Sequence, residues 1–288
     1  MKKLSIILLL SLLLTGCTSQ PHAPIAATTL PVYEFSTRLC QGTPLTVTRL
    51  VTEQVSCLHD YSLKVQQVKA IQAAEVVVIS GAGLEDFLGD VLPEEKTLDA
   101  SQNITLLESH EHCHAQEHEG HHHDHDPHIW LSPENAAKMA RNIAAGFSQR
   151  YPEYAPQFQE NLDTLLGDLD VLAAYGEEQL GQLHSRELIT FHDGFGYFAQ
   201  AFQLDILEAV EEGAGSETSA KDLIHLIGMV KQHHVPAIFT ERSGSTASAG
   251  ILSRETGCGC YDLDMAMAGD SYFTAMYHNI DTIKEALG

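Results

Sequence analysis

Between Tyr154 and Leu183 the apolar residues Phe158, Leu162, Leu165, Leu169 and Leu172 follow one another in steps of four, three, four and three. Only an α-helix puts such a series on one face. At about 1.5 Å rise per residue the segment would run roughly 40 Å, the breadth of a domain, so the rest of the chain must be organised on either side of it. Gly167 and Gly176 are its candidate bend points.

On both sides the pattern alternates between strand and helix. Before the long helix, strands are predicted over Thr28–Phe35, Leu45–Val51, Val76–Ser80 and Thr97–Asp99, and helices over Leu63–Ala74, Leu84–Leu92 and Pro133–Gln149, the last capped by Ser132. The run Val76–Ser80 (VVVIS) has no polar interruption, as expected of a parallel strand covered on both faces. After the long helix, strands are predicted at Glu187–Phe191, Leu204–Val210, Ala237–Thr240 and Cys260–Leu263, interleaved with helices over Gly196–Phe202, Ser219–His233, Ala247–Thr256 and Ser271–Leu287. The fold class is therefore α/β, with two βα lobes of similar size joined by one spine helix and a cleft between them.

Composition narrows the partners. Asp and Glu outnumber Lys and Arg by 39 to 16, a formal charge of −23 that repels a phosphate backbone and welcomes cations. No nucleic-acid partner is expected. Lys2 and Lys3 precede the apolar run Leu4–Leu14, too short for a bilayer span and the right length for a signal peptide core. The following Leu14-Thr15-Gly16-Cys17 resembles a bacterial lipobox, which implies residues 1–16 as signal peptide and a lipid on Cys17. Residues 17–27, small, polar and proline-bearing, read as a tether from an extracytoplasmic membrane surface. In an exported chain disulfides are permitted. Cys40 and Cys57 bracket a predicted strand and are the expected pair, Cys258 and Cys260 could close only a small ring, and Cys113 is the expected free thiol.

The chain has 17 histidines. His110, His112, His114, His118, His121, His122, His123 and His125 alternate with acids and glycine in a tract over residues 110–126 that contains nothing able to pack, so a mobile loop with weak, reversible zinc binding is expected. Elsewhere, chemistry collects at strand ends, where α/β sheets hold their ligands. His59 follows the second strand, His128 opens the segment after the tract, His192 follows ELITF, Glu211 follows LDILEAV, Glu241 follows AIFT and Asp264 follows CYDL. Imidazoles with a carboxylate suit Zn²⁺.

Several motifs occur in order: His59-Asp60-Tyr61, Gly81-Ala82-Gly83-Leu84-Glu85, Asp126-Pro127-His128-Ile129-Trp130-Leu131, His192-Asp193-Gly194-Phe195-Gly196-Tyr197-Phe198, Glu217-Thr218-Ser219 and Gly269-Asp270-Ser271-Tyr272. Together they resemble the metal-binding proteins of zinc and manganese ABC transporters. The resemblance implies two lobes around a spine helix and a metal on His59, His128 and His192, with a carboxylate at Asp264. Manganese-type members typically carry a glutamate at the position of His192, so zinc is implied. It also implies delivery to an ABC-type permease with a separate cytoplasmic ATPase, and the chain itself has no GxxxxGK[ST] phosphate loop.

Two departures matter. Gln54-Val55-Ser56-Cys57-Leu58-His59 replaces the usual proline, glycine and acid before the first ligand, which puts Cys57 two residues from it as an alternative ligand. Asp264-Met265-Ala266-Met267 replaces Asp-Pro-Leu-Gly, which leaves Glu211, Glu241 or water open as the fourth ligand, with Glu241 alternatively supporting a ligand or capping a helix. The resulting division is 28–152 for the amino-terminal lobe, 153–185 for the spine and 186–288 for the carboxy-terminal lobe. An extracytoplasmic zinc buffer acting through the tract is one alternative. A zinc hydrolase is the other, but the chain has no HExxH and a fourth carboxylate would close the open position catalysis needs.

Overall fold

The apolar run at Val76 builds the first sheet. In a computed structural model that describes residues 24–53, 58, 61–108, 125–210, 218–242 and 246–288, β3 (Val76–Ile79) lies between β1 (Ile25–Ala27) and β4 (Thr97–Asp99). With β2 (Val47–Arg49) the order is β2-β1-β3-β4, all parallel. The expected signal peptide, Cys17, Cys57, His59, Cys113, Glu211 and the histidines from His110 to His123 lie outside the described residues.

Two expectations fail here for related reasons. Ile25–Ala27, assigned to the tether, is an inner strand of the sheet; isoleucine and two alanines are fully covered and small enough to lie under flanking helices. Thr28–Phe35, expected as a strand, instead leads into helix α1 (Leu30–Leu39). Pro31 suits a first helical turn, and the buried Val32, Phe35, Ser36 and Leu39 recur at helical spacing. The folded part thus includes residues from Ile25 rather than from Thr28. Next come α2 (Val65–Ala73) and, where a helix over Leu84–Leu92 was expected, 3₁₀ turns over Asp86–Val91 kinked at Gly89, whose φ is 46°.

Pro133–Arg150 forms α3, with Ser132 Oγ accepting the Asn135 amide as its N-cap. The spine is α4 (Ala155–Leu180), one helix without interruption at either glycine. Gly176 has a packing role instead of a bending one, since a Cβ there would lie 2.2 Å from the Phe202 ring. The second sheet, from β5 (Glu187–Thr190), β6 (Asp205–Ala209), β7 (Ala237–Glu241) and β8 (Gly259–Leu263), has the order β6-β5-β7-β8, again all parallel. Helices α5 (Gly196–Phe202), α6 (Ala220–His233), α7 (Ala247–Thr256) and α8 (Tyr272–Leu287) alternate with it.

The two sheets share the same order, an edge strand brought back beside its predecessor, so each has a switch point at the carboxyl ends of its inner strands. One buried apolar cluster runs through both lobes. It joins Val76, Val78 and Trp130 to Leu188, Phe239 and Tyr272 by way of Phe158, Leu162, Leu165, Leu169 and Leu172 of the spine. The lobes therefore have a continuous core beneath the cleft. Among the described residues, no helix is long and apolar enough to cross a membrane.

Cys40 is a free, buried thiol, and Cys57, its expected partner, lies outside the described residues. Cys40 caps the carboxyl end of α1, which returns the chain to the amino edge of the sheet before β2, whereas the residues after Arg49 leave β2 from the opposite edge. Burial pushes the Cys40 thiol up to about 12 and keeps it protonated. Cys258 and Cys260 are also free thiols.

Candidate metal centre

The candidate site forms where the segment after the histidine tract meets the segment that follows β5. His128 precedes a short 3₁₀ turn, Ile129–Leu131, that plugs the cleft floor with the fully buried Trp130. The Trp130 indole N–H donates to the Met265 carbonyl at 2.8 Å, and the Tyr272 hydroxyl donates to the Trp130 carbonyl at 2.8 Å, so the His128 segment is fastened to the other lobe. His192 follows β5 directly, and its carbonyl accepts the Thr190 hydroxyl at 3.0 Å. The structure brings the two rings edge to face, with centroids 5.1 Å apart and Nε2 atoms 3.5 Å apart.

Each ring is oriented from behind by a carboxylate. His128 Nδ1 lies 2.8 Å from Asp126 Oδ1, which also accepts the His128 backbone N–H at 2.9 Å; both side chains are almost fully buried. Asp126 is itself placed by the Tyr197 hydroxyl, which donates to the Asp126 carbonyl at 3.0 Å and accepts the Leu107 amide at 2.9 Å. His192 Nδ1 lies 3.1 Å from Glu241 Oε1, at the end of the buried strand β7. With a proton on each Nδ1, both Nε2 lone pairs would be available to one cation between the rings.

The spacing has a magnitude to compare. Two nitrogens about 2.05 Å from a tetrahedral Zn²⁺ lie about 3.3 Å apart, close to the observed 3.5 Å. Gly194 leaves room for this pair: a Cβ there would come within 2.7 Å of His192 Cδ2 and 2.8 Å of His128 Nδ1.

Of the other sequence candidates, Glu241 lies beside His192, its Oε1 3.1 Å from that ring's Nδ1. Asp264 follows β8, but its carboxylate is engaged locally: Oδ1 accepts the Ala266 amide at 2.8 Å and Oδ2 lies 3.4 Å from Arg242 Nη1. The adjoining Met265 reaches the histidines, its Cε being 2.6 Å from the position of a Gly194 Cβ. Among the described residues no three His, Cys, Asp or Glu side chains are gathered closely enough to hold an ion. Leu58, just before His59, is buried, and its carbonyl accepts the Tyr61 amide at 3.0 Å. His125 pairs with Glu108 in an antiparallel bridge at the base of the tract. Asp126 and Gly194 were quoted within motifs without a role; an aspartate two residues before a histidine is the available signal for the first.

Two parallel-sheet lobes on a helical spine, with two histidines brought together in the seam, are the architecture of a two-lobed binding protein. Comparison with known proteins makes the assignment specific. Residues 25–286 match the family described as "Zinc-uptake complex component A periplasmic", and the chain belongs to that family. It is 30% identical over 307 aligned positions to the zinc-binding lipoprotein AdcA of Streptococcus pneumoniae, an alignment covering 99% of this chain but 61% of that one. The chain therefore spans less than two thirds of that relative's length. Its fold is also that of a zinc-bound ZnuA deletion mutant, with TM-score 0.77, 28% identity and coverage of 92% of this chain and 98% of the other. The Zn(II)-bound ZnuA-like domain of S. pneumoniae AdcA gives TM-score 0.75 at 26% identity, covering 91% and 98%.

Proposed function

We propose that this protein is an extracytoplasmic receptor that captures Zn²⁺ between its lobes and delivers it to an ABC-type permease powered by a separate ATPase subunit. The observation that carries the reading is the pair of carboxylate-backed imidazoles with Nε2 atoms 3.5 Å apart, which is tetrahedral zinc spacing. His59 supplies the third nitrogen and Asp264 the fourth ligand, reached by turning its carboxylate from Arg242 toward the seam. Zinc-bound relatives of the same fold support zinc as the cargo. In this reading Cys17 carries the lipid that tethers the protein at the membrane, as the lipoprotein relative suggests, and the histidine tract is an accessory collector.

The site works by differential occupancy rather than bond-making. Neutral imidazoles bind the ion through lone pairs that Asp126 and Glu241 keep in the correct tautomer. Metal content of the purified chain, followed by zinc titration against a competing chelator, tests the reading. One tight equivalent is expected, strongly weakened by His59→Ala, His128→Ala or His192→Ala and unchanged by His225→Ala or His278→Ala. Tight binding that survives His128→Ala and His192→Ala would refute it.

A further inference from the structure

The loop between β8 and α8 carries Asp264, yet its conformation is set from the other lobe. Arg49, the last residue of β2, sends its guanidinium across the seam: Nη1 donates to the Gly269 carbonyl at 2.7 Å and Nη2 to the Met267 carbonyl at 3.2 Å, while Nε donates to the Val51 carbonyl at 2.6 Å in its own lobe. The Met267 carbonyl also accepts the Leu30 amide at the start of α1, at 3.1 Å. Below these contacts Met265–Ala268 is buried, and Ala266 takes the left-handed conformation (φ 54°) that a residue with a Cβ disfavours. That turn points the Ala266 amide at Asp264 Oδ1, 2.8 Å away. Without outside restraint an alanine would leave this disfavoured region, and the aspartate would lose its amide partner.

We infer that Arg49 is a positioning residue for the metal site, holding the 265–269 turn so that the Asp264 carboxylate is presented from the second lobe in a conformation dictated by the first. The inference rests on Asp264 being the fourth ligand. The guanidinium suits the task because its donors are fixed in one plane and bind several carbonyls at once; a lysine ammonium can satisfy fewer of them in this geometry.

A double-substitution cycle in the full chain tests this, with Zn²⁺ affinity read by chelator competition and the coordination geometry read from the visible d–d bands of the Co²⁺-loaded protein. Asp264→Ala should weaken zinc at least tenfold and alter the Co²⁺ spectrum. Arg49→Met should weaken zinc about tenfold and shift the spectrum in the same direction. In the Asp264→Ala background Arg49→Met should add less than a twofold loss, because the group it positions is already gone. Arg49→Lys keeps the charge and should fall between wild type and Arg49→Met; if Arg49→Met does not fold, the cycle is read with Arg49→Lys. If Asp264→Ala weakens binding but the Arg49 effect is fully retained in its background, the positioning role is wrong and the ligand assignment stands. Wild-type affinity in Asp264→Ala would remove the ligand assignment and the positioning role together.

Discussion

Gly194→Ala is the sharpest perturbation the site offers. The new methyl would sit 2.7 Å from His192 Cδ2, 2.8 Å from His128 Nδ1 and 2.6 Å from Met265 Cε. Optimal carbon contacts lie at about 3.5–4.0 Å, so each neighbour must retreat by roughly 0.7 Å or more. Met265 can comply, its clashing atom being the end of a flexible chain. The imidazoles cannot do so freely, because Asp126 and Glu241 hold them from the other side at 2.8 and 3.1 Å. Metal–ligand distances tolerate only about 0.2 Å. In the metal-free protein a ring can retreat by giving up its carboxylate contact, whereas in the bound state the metal fixes it as well, so the overpacking cost of about 1–3 kcal/mol falls mainly on the bound state. That corresponds to a roughly 5- to 150-fold loss of zinc affinity, with the metal-free protein still folded. Gly167→Ala in the spine is the matched control, since a Cβ there meets nothing within 4 Å; it should leave affinity unchanged. Chelator competition on both variants, with a thermal melt of each metal-free protein, decides the matter. Wild-type affinity in a folded Gly194→Ala protein would mean that zinc does not bind to the rings in the arrangement described.

Asp126→Asn and Glu241→Gln should each lower zinc affinity about 10- to 100-fold, by releasing the tautomer and orientation of His128 and His192 respectively; calorimetric titration reads both, and an unchanged affinity in either would assign that carboxylate a purely structural role. Buried Glu85, which accepts the Thr28 hydroxyl and the Ser80 and Gly81 amides, is raised by desolvation from 4.5 to about 7. Its folded-state pKa exceeds its unfolded one, so the stability it contributes is complete below pH 4.5 and is lost as pH rises through about 7. Urea melts of the metal-free protein at pH 5 and pH 8 should show a loss, up to about 3 kcal/mol, that is absent in Glu85→Gln; equal slopes in the two proteins would contradict the shift. Deleting residues 110–124, with the Glu108–His125 bridge kept as the base, should abolish weak zinc equivalents and leave the tight one nearly unchanged, whereas a large loss of tight binding in the titration would place a primary ligand in the tract.

Periodic signals were legible wherever one face or both faces of an element are buried. The spine, the βα alternation of the second lobe and the VVVI strand all follow from apolar spacing, and the structure places them within a few residues of expectation. The signal misled at the amino end because Ile25–Ala27 is too short and too alanine-rich to show a period, while Thr28–Phe35 is rich in residues that favour strands when judged singly. There a proline tolerated only in the first helical turn, and a set of buried residues three and four apart, outweighed local propensity. The Cys40 to Cys57 pairing rests on a weaker kind of signal, because flanking a strand in sequence says nothing about which edge of a parallel sheet a residue occupies, and Cys40 and the described residues that follow β2 belong to opposite edges.

The metal centre divides along the same line between what repeats and what is brought together by folding. His128 and His192 stand at strand-end or post-loop positions where a parallel sheet exposes side chains to a ligand, so their candidacy can be read one residue at a time. Their supporting groups cannot. Glu241 comes 49 positions after His192, and only the adjacency of β5 and β7 in the second sheet sets it 3.1 Å from that imidazole. Arg49 reaches carbonyls 218 and 220 positions away. Its contacts are to main chain, so the sequence of the loop it holds carries no trace of it. Candidate ligands can therefore be read from residue type and position, whereas the tautomer, clearance and loop conformation of the proposed site come from pairings that exist only once both sheets have closed on the spine. For that reason the variants that discriminate best are Gly194→Ala, Glu241→Gln and Arg49→Met, none of which removes a proposed ligand.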